Sequence, residues 1–532
     1  MFFLSYVLDP FNIEVPPILF LGKQGHPPQI VDAKDLSRIK TEIISYELNR
    51  LIPYFKNIKT DFPIKIIDVC LAARLVVGQP YEDKKREAPW SIWQLIKPYF
   101  KIEKDFDLLK RICLKGETNI GVLEISRLLG QLSSSLINVW QHMNDQLEIK
   151  GEKDRFYSIE NPVQRIMLRS QYRGIRINTK RLLRRLDILD EQTRLSNEQL
   201  RDQWGIIDVS DKKTLAKSLK DNGYDYLAKC VFTDIFDDLA SLYEAKIDLL
   251  FHFQRVKKAE RDKGILLRFG AIGSNRVFPY YDSLGTVTGR ATVTDPHLQQ
   301  LKRENRDIIA SDREKILIYP DFSQFEPGIL ADDAKDKALI NLYNSGDVYT
   351  ALGKAILGEK ANRDIAKKIF LSFSFGMKKE NLVKMIFEST GQNQAAVQAA
   401  VDNFFDQFKQ INEWKKKLCD ALLREGRIGT RNGNYRYRPS TKETLSANEE
   451  KWVISQRIQG TASLILKRAI LAVDSSLGDA DFLLPMHDAV LYQVPKDDKE
   501  KYEKKISEIF EDCYMRECDA IKARVSLKPF DA

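Results

Sequence analysis

The chain has 532 residues and a net charge of +9, which makes it too long for one ordinary hydrophobic core and predicts about two to four subdomains. No apolar run approaches the roughly 18 residues that a membrane span needs, so the composition excludes a membrane protein. Six cysteines form no CxxC pair and only five histidines accompany them, which argues against a zinc site and suits a reducing compartment. The basic balance favours a polyanionic partner, although many surfaces share such a charge.

The predicted elements fall into zones along the chain. Residues 1 to about 150 mix short β-like runs with amphipathic helical runs and predict an α/β unit. Its opening segment, MFFLSYVLDPFNIEVPPILFLG, lacks a basic leader and is interrupted by polar residues and prolines, so we interpret it as a strand pair rather than a signal peptide. Residues 161–261 are helical and strongly charged. Strand signals return after Gly264, followed by a helical block at 347–424, turns in GRIGTRNGNYRYRP, and further helix and strand.

Basic side chains recur every four residues at the start of the helical zone. One series is Arg165, Arg169 and Arg173, and a second is Arg176, Lys180 and Arg184. Four-residue spacing stacks side chains on one face of a helix. Taken alone, the series indicates a solvated charged face, and it indicates a phosphate-binding stripe only if other residues point to nucleic acid.

One aspartate stands where a strand-like run meets a helix-like run in LIYPDFSQFEPGILADD. Asp321 follows the apolar ILIYP, and the helical pattern begins near Glu326. A carboxylate at a strand end is held rigidly beside a cleft and can bind a hard divalent cation. An isolated aspartate more often caps a turn, so this residue alone is not a metal site.

A second aspartate lies in FLLPMHDAVLYQV. His487 and Asp488 form the predicted tip of a β-hairpin between two apolar strands. If Asp488 and Asp321 converge, they can hold two ions about 4 Å apart, which would activate an attacking oxygen and stabilise a leaving one in phosphoryl transfer.

Between the two aspartates, RDIAKKIFLSFSFGM predicts a helix. Four of its side chains, at four-residue intervals, share one face: Arg363, Lys367, Leu371 and Phe375. Two cations followed by an aromatic ring can hold a triphosphate at one end and stack on a base at the other. The alternative is an amphipathic helix that happens to be basic.

From about Asn161 to its end, the chain resembles the polymerase region of the family A DNA polymerases, the group of bacterial DNA polymerase I. DFSQFE resembles motif A, RDIAKKIFLSFSFG motif B and MHDAV motif C, while TVTGRATVTDPHLQQL and RIQGTASLILKRA match two further segments in the expected order. The match covers about 370 residues, and an ordered set has less false-positive risk than any single motif. The resemblance implies an α+β multidomain fold, a right-hand polymerase with palm, fingers and thumb behind an N-terminal α/β domain of the ribonuclease H-like exonuclease type.

The same resemblance implies domain boundaries. Residues 1–155 would form the exonuclease-like domain, 156–263 the thumb, 264–346 the first part of the palm, 347–444 the fingers and 445–532 the second part of the palm. The basic series then falls in the thumb-like region, where phosphate contact is expected.

The resemblance also implies roles for individual residues. Asp321 and Asp488 would bind two Mg²⁺ ions, for which Mn²⁺ is an alternative, with the backbone at Phe322 as a further ligand. Lys367 is also implied as the donor of a proton to pyrophosphate. The residues implied in dNTP binding are Arg363, Lys367, Phe375, Glu326, Gln324 and Leu371. Those implied in primer-template binding are Arg290, Gln459, His487 and Gln299, together with Arg165, Arg169 and Arg173.

Several positions depart from the family pattern. Phe375 stands where the family usually has tyrosine, which keeps a ring to stack on a base but removes the hydroxyl that bonds the sugar-gate glutamate, Glu326. Leu371 replaces an aromatic residue, Ala489 replaces a glutamate, and EPG follows motif A in place of Glu-Leu-Arg. Pro327 is tolerable because proline suits the first turn of a helix. We therefore expect activity with altered sugar discrimination, fidelity and speed.

The amino-terminal zone resembles the family's 3′→5′ exonuclease domain most clearly at IIDVCLAARLV. Proofreading needs an acidic cluster from a DxE strand, a midway aspartate and a YxxxD helix. Counting back from Asp68 puts Leu51 at the midway position, Tyr157 is followed four residues later by Asn161, and the chain is expected to begin after the DxE strand. We therefore expect a degenerate exonuclease scaffold without proofreading, in which Asp68 is structural.

The leading hypothesis is a monomeric DNA-directed DNA polymerase that uses primer-template DNA and dNTPs in the cytoplasm, associated with the nucleoid, or in the host cytoplasm if the gene is viral. One alternative keeps the chemistry but assigns a specialised role, such as lesion bypass, reverse transcription or replication of a mobile element or virus. Another is a non-catalytic DNA-binding accessory protein. Retention of Asp321, Asp488, Arg363 and Lys367 argues against the latter, because carboxylates that repel DNA serve no purpose in binding alone.

Overall fold

The computed structural model describes residues 1–531 except 10, 13, 64, 79–86, 117–119, 234–235, 245, 271–274, 359–361 and 391–392. The chain is a mixed α+β protein, as the sequence predicts, and it divides into two compact units. The first unit consists of Met1–Arg173, Tyr280–Val293 and Glu314–Lys528. The second consists of Gly174–Pro279, Thr294–Arg313 and Pro529–Ala532.

A five-stranded mixed sheet forms the amino-terminal part of the first unit. Its strands, in spatial order, are His26–Val31, Ile18–Lys23, Phe2–Val7, Ile43–Ser45 and Ile66–Asp68. The first three strands are mutually antiparallel and the last three are parallel. The predicted N-terminal strand pair is confirmed, with Phe2 opposite Lys23. Four successive residues of Phe2–Val7 are buried, because both faces of this central strand are covered.

Helices pack around this sheet. They are Ala33–Ser37, Ile52–Asn57, Val69–Val77, Ile92–Ile96, Glu103–Lys115, Val122–Lys150, Lys153–Arg155 and Asn161–Arg173, with shorter turns at Leu48–Arg50, Lys97–Tyr99 and Phe156–Glu160. In the long helix Val122–Lys150, Leu128, Leu132 and Leu136 recur every four residues and are buried. Four-residue spacing puts them on one helix face, which the core covers.

A second sheet in the first unit carries both predicted metal-binding aspartates. Strand Ala489–Pro495 pairs on one edge with Asp481–Met486, and on the other with Asp321–Phe322 and Lys315–Ile318. Val525–Ser526 pairs with the far side of Asp321–Phe322. The predicted hairpin is confirmed, because Met486 lies opposite Ala489 and leaves His487 and Asp488 as its tip.

The remaining helices of the first unit follow the predicted helical blocks. They are Phe325–Ala334, Lys337–Ser345, Val348–Leu357, Arg363–Ser374, Lys379–Thr390, Gln394–Phe405, Lys409–Glu425, Ala447–Ser476 and Lys499–Glu517, with a short turn at Lys496–Asp498. The helix Ala447–Ser476 begins with a capping box, in which Ser446 and Glu449 satisfy each other's backbone amides.

The segment GRIGTRNGNYRYRP is not simply a run of turns. Arg427–Thr430 and Gly433–Tyr437 form an antiparallel hairpin. The expectation of turns was wrong because the Gly- and Asn-rich centre masks two short strands, and Gly433 and Asn434 both adopt positive φ angles at the bend.

The second unit is mainly helical, as predicted for residues 161–261. Its helices are Thr179–Trp204, Lys212–Asp221, Asp225–Cys230, Phe236–Tyr243 and Asp248–Gly270, with turns at Leu298–Gln300 and Arg303–Ile308. Short strands Ile175–Ile177, Arg276–Val277 and Ile309–Ala310 form a small antiparallel sheet. Two further short strands, Tyr280–Asp282 and Thr292–Thr294, pair with each other, and all of their residues except Thr294 belong to the first unit.

The two basic series do not lie on one helix. Arg165, Arg169 and Arg173 are on Asn161–Arg173, but Gly174 then adopts a φ of +73° and Arg176 lies in a strand. The four-residue spacing is interrupted there because a left-handed glycine ends the helix. Among the described residues, none of the helices combines the length and hydropathy that a bilayer crossing requires.

Candidate active site

Asp321 and Asp488 lie on adjoining strands of the second sheet. Asp321 is the direct partner of Ala489, and the Phe322 amide donates to the Asp488 carbonyl oxygen at 3.2 Å. Directly opposed residues have Cα atoms about 5 Å apart, so Asp488, one residue before Ala489, lies beside Asp321. Both side chains are half-buried. The backbones of the two aspartates therefore lie side by side at one end of these strands, and convergence of their carboxylates on a metal stays a prediction.

Asp488 lies in the two-residue turn of the hairpin, directly after His487. His487 is exposed and adopts a φ of +51°, in the left-handed region. Histidine tolerates this conformation better than branched residues do, and the turn it makes projects Asp488 from the end of a buried strand. Contact of His487 with a primer terminus stays a prediction.

Arg290 connects Glu326 with Asp488. Its Nη2 donates to Glu326 Oε1 at 2.7 Å and to Asp488 Oδ1 at 3.2 Å. Burial raises the pKa of Glu326, and the neighbouring Asp488 charge adds to this, while Arg290 and Lys367 oppose it. The guanidinium thus stabilises two carboxylates that would otherwise repel each other.

An aromatic cluster fixes the strand that carries Asp321. The Phe322 ring stacks on Phe325 at 4.3 Å and packs against Phe510 and Tyr514. Tyr514 also donates to the Phe325 carbonyl oxygen at 2.7 Å. Gly328 makes this approach possible, because a Cβ there would lie 2.2 Å from the Tyr514 hydroxyl. Pro327 lies in the first turn of the helix, where its missing amide hydrogen costs nothing, as predicted.

Gln324 has a structural task besides its predicted place in nucleotide binding. Its Oε1 accepts from the Val348 amide at 2.7 Å, which joins motif A to the start of the helix Val348–Leu357. Gln324 itself adopts a φ of +52°. The side chain therefore joins the segment after the strand Asp321–Phe322 to the neighbouring helical block.

The predicted helix with two cations is present as Arg363–Ser374. Asn362 caps it by accepting from the Asp364 and Ile365 amides. Arg363 and Lys367 are exposed, whereas Leu371 and Phe375 are half-buried toward the other end. Phe375 is the residue at which the helix stops, with Gly376 following at positive φ. The cationic end of this face is accessible to an anion, and the aromatic residue lies at the opposite end.

Sequence reasoning missed two neighbours of Arg363. Asp347 Oδ2 accepts from the Arg363 guanidinium at 2.7 Å, and the same guanidinium lies over the Tyr349 ring at 5.1 Å. The only local signal was the helix-capping pattern of DVYT, in which Asp347 accepts from the Thr350 amide. Asp347 holds Arg363 in place and would have to share it with a bound phosphate.

The remaining predicted DNA contacts have different surroundings. Gln459 is half-buried on the helix Ala447–Ser476. Gln299 belongs to the second unit, in the short turn Leu298–Gln300. Contact of either residue with DNA stays a prediction.

The arginine series on Asn161–Arg173 is engaged within the first unit. Arg169 pairs with Asp474, and Arg173 pairs with Asp481 at 3.2 Å. Arg165 is half-buried on the same helix. The first pair joins the helix to the helix Ala447–Ser476 and the second joins it to the strand Asp481–Met486, and contact of the series with phosphates stays a prediction.

Comparisons with known proteins concern the family and the fold of the chain. Residues 210–528 match the model of DNA polymerase family A. DNA polymerase I of Aquifex aeolicus is 22% identical over 466 residues, covering 83% of this chain and 79% of that protein. DNA polymerase I of Bacillus subtilis is 22% identical over 417 residues, covering 73% of this chain but only 47% of that protein. The chain thus spans about half the length of the Bacillus relative.

A solved structure shows a similar fold. It is the POL domain of Pol1 from M. smegmatis in complex with DNA primer-template and dNTP, with a TM-score of 0.80 and 18% identity. The likeness covers 100% of this chain and 95% of that chain. Because only 18% of the residues are identical, this likeness shows a shared fold and nothing further.

Proposed function

The chain belongs to DNA polymerase family A and is a DNA-directed DNA polymerase. We propose that it extends the 3′ end of a primer with dNTPs by two-metal phosphoryl transfer. The observation that carries this proposal is the adjacency of Asp321 and Asp488, fixed by the 3.2 Å hydrogen bond from the Phe322 amide to the Asp488 carbonyl. Carboxylates on two adjoining, hydrogen-bonded strands support this proposal, because two-metal catalysis needs ligands that hold the ions close together.

The donor chemistry fits magnesium. Asp321, Asp488 and the Phe322 carbonyl offer only oxygen, the ligand that hard cations prefer. Among the residues that the structure describes, no three Asp, Glu, His or Cys side chains form a metal cluster of their own. Two carboxylates suffice for Mg²⁺, which is usually completed by substrate phosphates and water. When bound, the ions would activate the primer oxygen and neutralise charge on the leaving pyrophosphate.

The protein's own cations are arranged to bind the triphosphate. Arg363 and Lys367 are exposed one helical turn apart on Arg363–Ser374, and each can stabilise charge as it develops on the phosphates. The Lys367 charge opposes the rise in the pKa of Glu326, so the two side chains lie within electrostatic range of each other. We assign Lys367 as the group that donates a proton to pyrophosphate.

Arg290 and Glu326 would define the sugar and primer-terminus side of the pocket. Glu326 is 13% exposed and bonded to Arg290, so it can close the pocket against a ribose 2′-hydroxyl. Phe375 supplies a ring but no hydroxyl for Glu326. This departure supports a specialised polymerase with a looser sugar gate as the second candidate.

The amino-terminal sheet is proposed as an exonuclease-like scaffold without proofreading. On its central strand, Ser5 is buried and bonded to the Leu129 carbonyl oxygen and to Ser133 of the helix Val122–Lys150. Asp68 accepts from the Leu48 and Cys70 amides, which is a capping role. Neutral serines at the strand–helix contact and a carboxylate used as a cap support a structural role for this domain.

The proposal includes the domain boundaries expected from the motifs, with a thumb at 156–263 that overlaps the second unit from Gly174 onward. We further propose that the protein acts as a monomer in the cytoplasm, associated with the nucleoid.

Primer extension tests the function directly. We expect Mg²⁺-dependent extension of a primed DNA template by the wild-type protein and a loss of at least about 1,000-fold in Asp321→Ala, because the metal carboxylate is removed. Asp519→Ala, an exposed aspartate at 83% side-chain exposure, is the matched control. Equal extension or equal inactivity of the wild-type and Asp321→Ala proteins would refute the assignment.

A further inference from the structure

The hairpin formed by Arg427–Thr430 and Gly433–Tyr437 contacts the loop that carries Arg290. We propose that Asn434 in this hairpin is a positioning residue for Arg290, which it holds in place through the backbone of the loop 286–290. The inference rests on the proposed function, in which Arg290 contacts the primer-template minor groove at the insertion site. It adds a residue that touches neither DNA nor nucleotide but controls the group that does.

The loop 286–290 is closed by its own hydrogen bonds. The Thr286 amide donates to the Arg290 carbonyl oxygen at 3.1 Å, and the Gly289 amide donates to the Thr286 carbonyl oxygen at 2.9 Å. The Arg290 amide in turn donates to the Thr286 hydroxyl at 2.9 Å. These bonds give the loop a shape but do not orient it against the catalytic sheet.

Two side chains from other elements anchor the loop's carbonyl groups. Asn434 Nδ2 donates to the Thr288 carbonyl oxygen at 2.8 Å, and Ser463 Oγ donates to the Gly289 carbonyl oxygen at 2.6 Å. Both acceptors lie within two residues of Arg290. The guanidinium position therefore depends on where these two donors are held.

Asn434 is held in a closed socket. The residue is 4% exposed and adopts a φ of +60°, a conformation that asparagine tolerates. Its carbonyl oxygen accepts from Gln456 Nε2 at 2.7 Å. A Cβ on Gly460 would lie 2.9 Å from Asn434 Nδ2, and one on Gly289 would lie 3.2 Å from it. Two glycines thus leave room for this amide and for little else.

The hairpin has a rigid base. The Tyr435 amide donates to Glu152 Oε1 at 2.9 Å, and Glu152 pairs with Arg155 at 2.9 Å. Arg155 also pairs with Glu160, which pairs with Lys467 at 2.6 Å. All four charged side chains are nearly inaccessible to solvent. Breaking such a buried network is costly, so Asn434 is presented from a support that resists movement.

The position of Arg290 decides how well a paired primer end is sensed. Minor-groove acceptors are common to all correct base pairs, and a guanidinium can bond them only at a fixed distance. A mispair displaces those acceptors, so the contact contributes to extension of matched ends and little to mismatched ends. Loosening the loop should therefore reduce matched extension selectively.

The test compares single-nucleotide extension from matched and mismatched primer ends. Asn434→Gly keeps the positive φ angle and the backbone carbonyl that accepts from Gln456, but it removes the side-chain amide. Asn434→Asp keeps the shape of the side chain but places an oxygen against the Thr288 carbonyl oxygen. We expect each to lower kcat/KM on matched ends about tenfold, the effect of losing one positioning hydrogen bond, and to lower it on mismatched ends much less. Asn432→Ala, which removes amide contacts of the same hairpin to Glu517, is the control and should change neither.

A double-mutant cycle separates positioning from general stability. If Asn434 acts through Arg290, Asn434→Gly should have almost no further effect on matched extension in an Arg290→Ala protein. The inference would be overturned if the loss of kcat/KM in the double mutant equalled the product of the losses in the two single mutants. It would also be overturned if both Asn434 variants lost activity equally on matched and mismatched ends, or if both variants extended primers at the wild-type rate. A normal rate for Arg290→Ala alone would instead contradict the proposed role of Arg290. Thermal unfolding of each variant identifies a fold defect, and Asn434→Asp decides the outcome if the glycine variant unfolds.

Discussion

The backbone amide of Phe322 donates to the carbonyl oxygen of Asp488 at 3.2 Å, which joins the strand bearing Asp321 to the hairpin tip bearing Asp488. The bond is made by main-chain atoms, so it holds the two positions at a fixed separation whatever the side chains do. Phe322 is itself locked by stacking on Phe325 at 4.3 Å. The rigidity of the proposed metal site therefore comes from the sheet and the aromatic cluster beneath it.

The missing hydroxyl at Phe375 predicts a change in sugar selection. Phe375→Tyr should lower incorporation of rNTPs relative to dNTPs by about fivefold, the value of one recovered hydrogen bond to Glu326. Competition assays with matched rNTP and dNTP on one template measure the ratio. Phe387→Tyr, which adds a hydroxyl to an exposed ring on Lys379–Thr390, should leave it unchanged. An unaltered ratio in Phe375→Tyr would count against the sugar-gate role of Glu326.

Gly328 predicts a packing limit behind the catalytic strand. A methyl group there would lie 2.2 Å from the Tyr514 hydroxyl and 2.9 Å from the Tyr343 ring, so Gly328→Ala must displace both rings or the helix itself. We expect the free energy of unfolding to fall by about 1 to 3 kcal/mol and polymerase activity to fall with it. Urea unfolding measures the loss, and Gly478→Ala, where a Cβ meets nothing within 4 Å, is the control. Equal stability of the two variants would contradict the packing argument.

Asp68 predicts a pH dependence of stability. Burial raises its pKa from 3.8 to about 6 despite the hydrogen bonds from the Leu48 and Cys70 amides. The folded protein therefore binds the Asp68 proton more tightly than the unfolded chain does. The stability that this protonation contributes is fully present below about pH 4 and is lost as the pH rises through about 6. Asp68→Asn cannot ionise, so its stability relative to wild type should rise by about 1 to 3 kcal/mol between pH 4 and pH 7.5. Urea unfolding at both pH values, with exposed Asp61→Asn as control, checks this; a difference that is constant with pH would disprove it.

Local patterns were sufficient for the parts of the site that depend on neighbouring residues. The hairpin around Asp488 follows from two apolar strands flanking a turn, and the cationic face of Arg363–Ser374 follows from four-residue spacing. In the second basic series, Lys180 and Arg184 lie on the helix Thr179–Trp204, but Arg176 does not, because Gly174 ends the preceding helix and Arg176 lies in the strand Ile175–Ile177.

Contacts between distant segments could not be predicted in this way. Arg290 and Asp488 are 198 residues apart, and no periodicity within either segment encodes their hydrogen bond. Asn434 and Thr288 are separated by 146 residues, and the polar Gly- and Asn-rich sequence around Asn434 indicates a turn rather than a buried donor. Such contacts depend on how sheets and helices pack, which the sequence of one segment does not specify.

The most direct measurement is a crystal structure of the protein with a primer-template ending in a dideoxynucleotide, the matching dNTP and Mg²⁺. Both Asp321 and Asp488 should bind ions through oxygen at about 2.1 Å, with Arg290 turned from Asp488 toward the primer terminus. Ions bound without one of these carboxylates, or carboxylates directed away from each other, would contradict the proposed catalytic site.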